Sequence, residues 1–192
     1  VVFRHVRREE HAGNKRIVRS PGWYRNRGGP RTTVKQVGSS AVTVMRAAVY
    51  HGPEDVRIED VPQRPLGATD VRIGVAACGI CGSDLHEYRS GPMLIPEERP
   101  HPITGATLPL VMGHEFAGEV IECGADVSGV EPGDRVTVNP ILYCGDCRYC
   151  DRGAYHLCSS GGFLGLTGRG GFAETAVVSA NSVVKLPDGV DY

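Results

Sequence analysis

Hydrophobic and polar residues alternate in short runs along most of the chain, and turn residues separate the runs. In the clearest run, Val71, Ile73 and Val75 alternate with Arg72 and Gly74. A period of two residues is typical of a strand with one buried face. Other short apolar runs rich in β-branched residues lie at 47–50, 56–58, 120–121, 136–138, 176–178 and 183–184. Short strands between Gly and Pro turns predict a small antiparallel β-barrel or β-sandwich.

The connections between these runs carry their own signals. His51-Gly52-Pro53 predicts a turn between the first two strands. Residues 85–88 predict the start of a short helix, with Asp84 as its N-cap and Glu87 as the capping-box partner three residues on. Residues 89–108 are rich in proline and predict an irregular loop.

Residues 1–44 differ from the rest of the chain in charge. They carry ten Lys or Arg against two Glu, whereas residues 45–192 carry eleven basic residues against twenty acidic ones. Without a sustained hydrophobic period, residues 1–44 are expected to form a disordered basic extension. It could be a nucleic-acid arm, a transit peptide, which Glu9-Glu10 and the prolines disfavour, or an over-extended start. We favour the over-extended start, because Met45 leads directly into a strand.

Seven cysteines are present, and four of them lie within fifteen residues. An odd, clustered number does not suit a disulfide framework, and no secretory apolar segment is visible. Reduced thiols that bind metal fit better and predict a cytoplasmic protein. No stretch approaches the roughly 18 apolar residues of a membrane span. We therefore expect neither a membrane nor a nucleic acid as partner.

The most specific motif is Cys144-x2-Cys147-x2-Cys150-x7-Cys158. Four thiolates can close tetrahedrally on one zinc ion at about 2.3 Å, which leaves no open position and makes the site structural. The alternative is an iron–sulfur cluster, whose bacterial signature has three residues before the last Cys and a Pro after it. Here seven residues precede the last Cys and Ser159 follows it, so zinc is favoured.

A second candidate site combines two separated motifs. Cys81, Ser83 and His86 follow a strand-like run, and His114-Glu115 comes about thirty residues later. Thiolate and imidazole are ligands that zinc prefers, and three protein ligands leave one position open for substrate. The spacing alone is a weaker signal, since His114 could be a half-buried histidine and Glu115 a solvated charge.

Three other features have competing interpretations. Cys78 could form a redox dithiol with Cys81, or could be a buried apolar residue at the end of its strand. Cys123 takes the same buried interpretation, and we assign it no role. Residues 168–173 fit G-x-G-x-x-A, but the β-branched residues after them predict a strand where a dinucleotide fingerprint needs a helix.

Taken together, the motifs resemble those of the zinc-containing medium-chain alcohol/polyol dehydrogenases. The matching stretches are 78–86, 113–115, 133–136, 170–174 and the four cysteines. Within the family, the loops at 87–92 and 101–105 look most like those of 2,3-butanediol dehydrogenases. The resemblance implies that residues 45–192 form a mainly β, GroES-like small barrel with a structural zinc lobe. The family's Rossmann domain is absent from this chain, which we therefore expect to be an N-terminal catalytic-domain fragment.

The resemblance also implies roles for individual residues. Cys81 and His114 would ligate a catalytic zinc, with Glu115 or a residue beyond 192 as the third ligand, and the four-cysteine lobe would hold a structural zinc. Ser83 would pass the proton of the alcohol onward, and His86 would release it to solvent. NAD or NADP, held by a part of the protein outside this chain, would accept the hydride.

The predicted function is zinc-dependent oxidation of a secondary alcohol or vicinal diol, of the 2,3-butanediol/acetoin type, by a homo-oligomer. In the loop between the two half-sites, Met93, Leu94, Ile95 and Ile103 are expected to line the substrate cleft, because apolar residues suit methyl groups. The alternative is a non-catalytic zinc-binding or interaction module.

Overall fold

Antiparallel strands dominate the computed structural model, which describes residues 33–37 and 40–192. The eleven strands within those residues are β1 Thr33–Val37, β2 Ser40–Gly52, β3 Asp55–Pro62, β4 Asp70–Gly79, β5 Leu110–Val111, β6 Glu115–Cys123, β7 Arg135–Val138, β8 Ile141–Leu142, β9 Gly162–Phe163, β10 Thr175–Ser179 and β11 Val183–Lys185. The helical elements there are one α-helix, α1 Gly82–Ser90, and three 3₁₀ turns at Cys150–Arg152, Tyr155–Leu157 and Ala180–Ser182.

The strands form three sheets. The largest has the order β10-β4-β6-β7-β11. In the second, the order is β1-β2-β3, with β5 also paired to β2, and β8 and β9 form a two-stranded sheet. Every pairing among these strands is antiparallel. The predicted mainly β, antiparallel architecture is confirmed.

The core of the five-stranded sheet follows from the alternation seen in the sequence. Val71 and Ile73 of β4 are fully buried and pack with Val120 of β6, Val136 of β7 and Val178 of β10. Burial of one such side chain contributes roughly 1.5–3 kcal/mol. The sheet that carries β4 and β6 is therefore a rigid base for the residues at its edge.

The N-terminal part of the described structure differs from expectation. β1 pairs with β2 from Thr33 opposite Val44 to Val37 opposite Ser40, so β2 runs through the predicted boundary at Met45. The physical reason is the number of β-branched residues in both strands, Thr33, Val34 and Val37 in β1 and Val42, Thr43 and Val44 in β2, which suit a pleated surface. The interpretations of the remaining residues of 1–44, as a basic arm or a transit peptide, concern positions outside the described residues.

The connection between β2 and β3 is tied to α1. The sequence predicts this turn at His51-Gly52-Pro53. Because β2 continues to Gly52, the turn instead lies at Pro53 and Glu54. Glu54 has a left-handed φ of 59°, and its backbone N–H donates to the carbonyl of Tyr88 at 2.6 Å. The turn therefore holds the helix by a backbone hydrogen bond.

The segment from α1 to β5 is irregular, as predicted. It contains neither a helix nor a strand between Ser90 and Leu110. The nine-residue α1 is the only α-helix in the described part of the chain, and no helix there has the length and hydropathy needed for a membrane span.

Candidate metal centres

The pairing of β4 with β6 brings two distant motifs together. Gly79, at the end of β4, lies opposite Glu115, at the start of β6. Because the strands are antiparallel, the chain leaving β4 and the chain entering β6 meet at the same edge of the sheet. Cys81 follows β4 by two residues and His114 immediately precedes β6. The register of this one strand pair therefore places both half-sites side by side.

Gly113 shapes the entry into this site. Its φ is +90°, and a Cβ there would lie 2.8 Å from the Cys78 sulfur and 2.7 Å from the ring of Phe172. A residue with a side chain would be strained and would also clash. Glycine at this position therefore lets the chain turn into β6 with His114 facing Cys81.

The ligand atoms of Cys81, His114 and Glu115 all lie within 4.8 Å of one another. Zinc holds sulfur, nitrogen and oxygen ligands at about 2.0–2.3 Å, so two ligands of one ion are separated by at most roughly 4.6 Å. Small side-chain movements would close this set on a single ion. The set is the one that the sequence motifs predict.

The helix after Cys81 begins earlier than predicted. α1 starts at Gly82 with Cys81 as its N-cap, so the prediction of Asp84 as N-cap is wrong. The Asp84 carboxylate instead accepts a hydrogen bond from the Cys81 backbone N–H at 2.9 Å. Glu87 is not its capping partner, because its side chain turns into the interior and accepts from the amides of Met93 and Leu94.

Asp84 also fixes the side of the His114 ring that can bind metal. Its Oδ1 lies 3.6 Å from His114 Nδ1, and the two side chains are only 4% and 11% exposed. Neither atom has a hydrogen-bond partner. Burial raises the pKa of the Asp84 carboxyl, against the opposing influence of the Cys81 amide and of His114. With Nδ1 facing this carboxylate, Nε2 is the nitrogen left for an ion.

The sequence interpretation missed this contact between Asp84 and His114. Metal-binding histidines commonly donate their second nitrogen to a carboxylate. An acidic residue one helical turn after Cys81 was the available signal, but only the strand pairing shows that it faces His114.

Both predicted proton carriers lie on α1. The Ser83 hydroxyl is 3.2 Å from Nε2 of His114, so it stands beside the nitrogen that would face an ion. His86 is three residues further along the helix and exposed to solvent. Residues three apart on a helix are neighbours on one face.

The four cysteines of the second motif also converge. In the segment 144–158, which we call the cysteine lobe, all four sulfurs lie within 4.8 Å of one another. The Sγ atoms of Cys144 and Cys158 are 3.4 Å apart, and those of Cys147 and Cys150 are 3.6 Å apart. The lobe takes its shape from local turns, among them the 3₁₀ turn Cys150–Arg152.

Backbone amides prepare two of these thiols for metal. Hydrogen bonds from the amides of Cys150 and Ser159 lower the pKa of Cys147 to about 6. The amide of Cys144 lowers the pKa of Cys158. By contrast, the Asp146 side chain raises the pKa of Cys144 to about 12. The lobe thus offers a preformed thiolate at Cys147, and a bound cation would displace the protons that remain.

The other cysteines and the glycine stretch fit structural roles. Burial raises the pKa of Cys78 to about 12, which makes it a poor partner for a redox dithiol. Cys78 and Cys123 both pack against the core of the five-stranded sheet. The stretch 168–173 leads into β10, so it lacks the helix that a dinucleotide fingerprint needs.

The predicted apolar lining of the substrate cleft is only partly available. Ile95 is 3% exposed and packs with Tyr50 in the interior, so the expectation that it lines a cleft is wrong. Met93 and Leu94 are exposed. A cleft of about 740 Å³ includes Ile103, but none of its lining residues belongs to the site at Cys81.

The comparisons with known proteins agree with this fold and with the motifs. Residues 67–188 match the alcohol dehydrogenase GroES-like domain. The chain therefore belongs to the family of proteins with the alcohol dehydrogenase GroES-like domain. As predicted, its sequence is similar to butanediol dehydrogenases. It is 47% identical to the (R,R)-butanediol dehydrogenase of Bacillus subtilis over 149 residues, which cover 77% of this chain and 42% of that protein.

Three further matches show the range of the family. The crystal structure of the Bacillus subtilis enzyme matches 77% of this chain and 42% of that chain with a TM-score of 0.72. The cobalt- and zinc-bound thermostable alcohol dehydrogenase of Pyrobaculum aerophilum is 34% identical, with a TM-score of 0.62 over 74% of this chain and 41% of its own. L-threonine 3-dehydrogenase of Pyrococcus furiosus is 40% identical over 78% of this chain and 40% of its own length. The chain thus spans about two fifths of these relatives.

Proposed function

We propose that this chain is the zinc-binding catalytic part of a dehydrogenase that oxidises a secondary alcohol or vicinal diol. The observation that carries the proposal is the convergence of Cys81, His114 and Glu115 within 4.8 Å, with the Ser83 hydroxyl 3.2 Å from His114 Nε2. This donor set fits zinc in a catalytic site, because three protein ligands leave a position for substrate.

Zinc held there would supply a Lewis acid that polarises the oxygen of the alcohol. Ser83 stands where it can accept a hydrogen bond from that hydroxyl and take up its proton. His86, exposed on the same helix face, would carry the proton to solvent. Asp84 holds the His114 ring in place from the buried side, as carboxylates beside metal-binding histidines do.

The cofactor we propose is NAD or NADP, which would take the hydride at the carbon that bears the hydroxyl. Support comes from relatives that are named dehydrogenases. We further propose 2,3-butanediol, oxidised to acetoin, as the substrate, since the relative that is 47% identical to this chain is a butanediol dehydrogenase and its crystal structure matches the fold. The exposed pair Met93 and Leu94 offers apolar surface for methyl groups.

The test is steady-state kinetics on the whole protein with 2,3-butanediol, sorbitol, threonine and ethanol. We expect the highest kcat/KM for 2,3-butanediol. If kcat/KM for sorbitol or threonine is ten times that for 2,3-butanediol, the substrate assignment is wrong. The proposed metal chemistry would still stand. Cys81→Ser should abolish turnover, whereas Cys123→Ser, which changes a cysteine outside both sites, should leave it unchanged.

The proposed proton transfer through His86 to solvent is tested by a matched pair of variants. His86→Ala should lower kcat by about 10²-fold or more, the size of a general acid–base contribution. His156→Ala is the control, since His156 is an exposed histidine in the cysteine lobe. Wild-type rates for His86→Ala from pH 6 to 9 would remove His86 from the mechanism.

A second candidate is a zinc-binding module without catalysis. The self-contained cysteine lobe favours it, because a structural site needs no cofactor. Titration of the whole protein with NAD and NADP separates the two, since the dehydrogenase should bind one of them and the module neither.

We also propose that a single domain covers residues 45–192 and that residues 1–44 are an extension that the metal sites do not need, as their charge suggests. A variant that begins at Met45 should then keep the zinc content of the longer chain, although it lacks β1 and the first five residues of β2. A homo-oligomer in the cytoplasm is the form we propose for the whole protein, from its resemblance to the family. Light scattering tests the assembly.

A further inference from the structure

Gly79 ends β4 directly opposite Glu115. We infer that Gly79 is a positioning residue: its missing side chain leaves the space in which the Glu115 carboxylate stands beside Cys81 and His114. The inference rests on the proposed metal site and adds the residue that decides whether Glu115 can take part in it.

The space at Gly79 is narrow. A Cβ at this position would lie 2.6 Å from Oε2 and 3.3 Å from Cβ of Glu115. Real Cβ atoms essentially never come within 3.0 Å of another heavy atom, so even alanine would push the carboxylate aside. Glu115 is exposed, and its side chain can move into solvent without disturbing the core.

The backbone itself does not require glycine here. Gly79 has no left-handed φ, unlike Gly113, and alanine is compatible with an extended strand. Gly79→Ala should therefore displace the Glu115 carboxylate, with a shift of a few tenths of an ångström at the Glu115 Cβ, and leave the fold intact. A change at Gly79 can therefore alter the placement of a metal ligand without altering the stability of the sheet.

Displacement of the carboxylate would weaken the site in two ways. Of the three ligands found among the described residues, only Cys81 and His114 would then remain. The negative charge of Glu115, which together with the thiolate balances a divalent ion, would also move away. We expect zinc to bind this site about 10–100-fold more weakly, the range seen when residues that orient metal ligands are changed.

The experiment measures zinc release from the 192-residue chain to a chromogenic chelator. Two classes of zinc are expected, and the class lost in Cys81→Ser belongs to the site at Gly79. In Gly79→Ala, that class should dissociate at 10–100-fold lower chelator concentration, with the cysteine-lobe class and the urea midpoint unchanged. Gly82→Ala is the control, because a Cβ there meets nothing within 4 Å.

A double variant tests whether Gly79 acts on zinc binding only through the Glu115 carboxylate. If Gly79 acts only through the carboxylate, Gly79→Ala/Glu115→Ala should release zinc like Glu115→Ala alone. Additive losses, or a weaker lobe class, would overturn the inference, because they indicate a general structural effect. If Glu115→Ala changes nothing while Cys81→Ser abolishes the class, the inference fails and the metal site stands. Absence of that class in the unmodified chain refutes both.

Discussion

The two candidate metal sites differ in how much of the fold they need. The four sulfurs of the cysteine lobe come from one segment, 144–158, and converge through local turns. The site at Cys81 instead takes its residues from the end of β4 and the start of β6, and its geometry depends on the register of these two strands. A local site organises the segment that contains it, whereas a site at a sheet edge depends on the sheet. The two should therefore respond differently to the same perturbation.

The largest expected effect is the loss of the lobe. Cys147→Ser should release one zinc and unfold residues 140–160, since metal ligation in structural zinc sites contributes apparent free energies of about 10–16 kcal/mol. Hydrogen exchange should show lost protection there and unchanged protection in β4 and β6. Cys123→Ser is the control. If β4 loses protection as well, the lobe supports the sheet and the comparison fails.

The converse change weakens the sheet. Phe116 is 2% exposed in the core, beside Glu115, and truncation of a buried Phe costs about 3–5 kcal/mol. Phe116→Ala should lower the urea midpoint and make zinc leave the Cys81 site more easily, while the lobe keeps its zinc. Val184→Ala, at a position 54% exposed on the same sheet, should change neither. Equal weakening of both sites would show that they are not independent.

A smaller effect is expected at the far end of α1. Both carboxylate oxygens of the buried Glu87 accept backbone N–H groups, from Met93 at 2.9 Å and Leu94 at 2.6 Å. Glu87→Gln turns one acceptor into a donor and should cost about 1–3 kcal/mol of the free energy of unfolding. Glu98→Gln, in the same loop and exposed, should cost nothing measurable. Urea denaturation of both variants tests whether the hydrogen bonds that Glu87 accepts from Met93 and Leu94 stabilise the protein.

The smallest expected effect is on the loss of stability at low pH, and it involves neither metal site. Lys185 Nζ lies 2.8 Å from Asp134 and, with the Glu131 amide, lowers the pKa of that carboxyl. A carboxyl whose pKa is lower in the folded state stabilises the fold above its ordinary pKa, and this contribution disappears as the pH falls through the folded value.

The fall in Tm from pH 5 to pH 3 should therefore be slightly shallower in Asp134→Asn than in the unmodified chain. Asp126→Asn, at an exposed position, should leave the slope unchanged. An identical slope in Asp134→Asn would show that the ion pair with Lys185 contributes nothing in solution.

The sequence predicts the parts of this molecule that depend on short-range patterns. The longer alternating runs lie within strands, because a period of two over several residues is distinctive. The two-residue strands β5, β8 and β9 are too short to show a period. The cysteine lobe could be predicted from spacing alone, since its ligands are local.

Contacts between elements could not be predicted in the same way. The position of Asp84 against His114 requires the β4–β6 register and the true start of α1. The space at Gly79 likewise exists only once Glu115 lies across from it. The sequence predicts that Ile95 lines the substrate cleft, yet its contact with Tyr50 buries it, which no local pattern reveals.

The strand pairing also has an evolutionary consequence. Because β4 and β6 fix Cys81 and His114 from both sides, the length of the segment between α1 and β5 does not set the distance between the ligands. Doubling the length of such a loop costs only about 0.6 kcal/mol in closure entropy. Exchanges of exposed side chains there, such as those of Met93 and Leu94, would leave the positions of Cys81 and His114 unchanged. In the proposed dehydrogenase, substrate preference could therefore change at such positions of residues 91–109 without loss of the metal site.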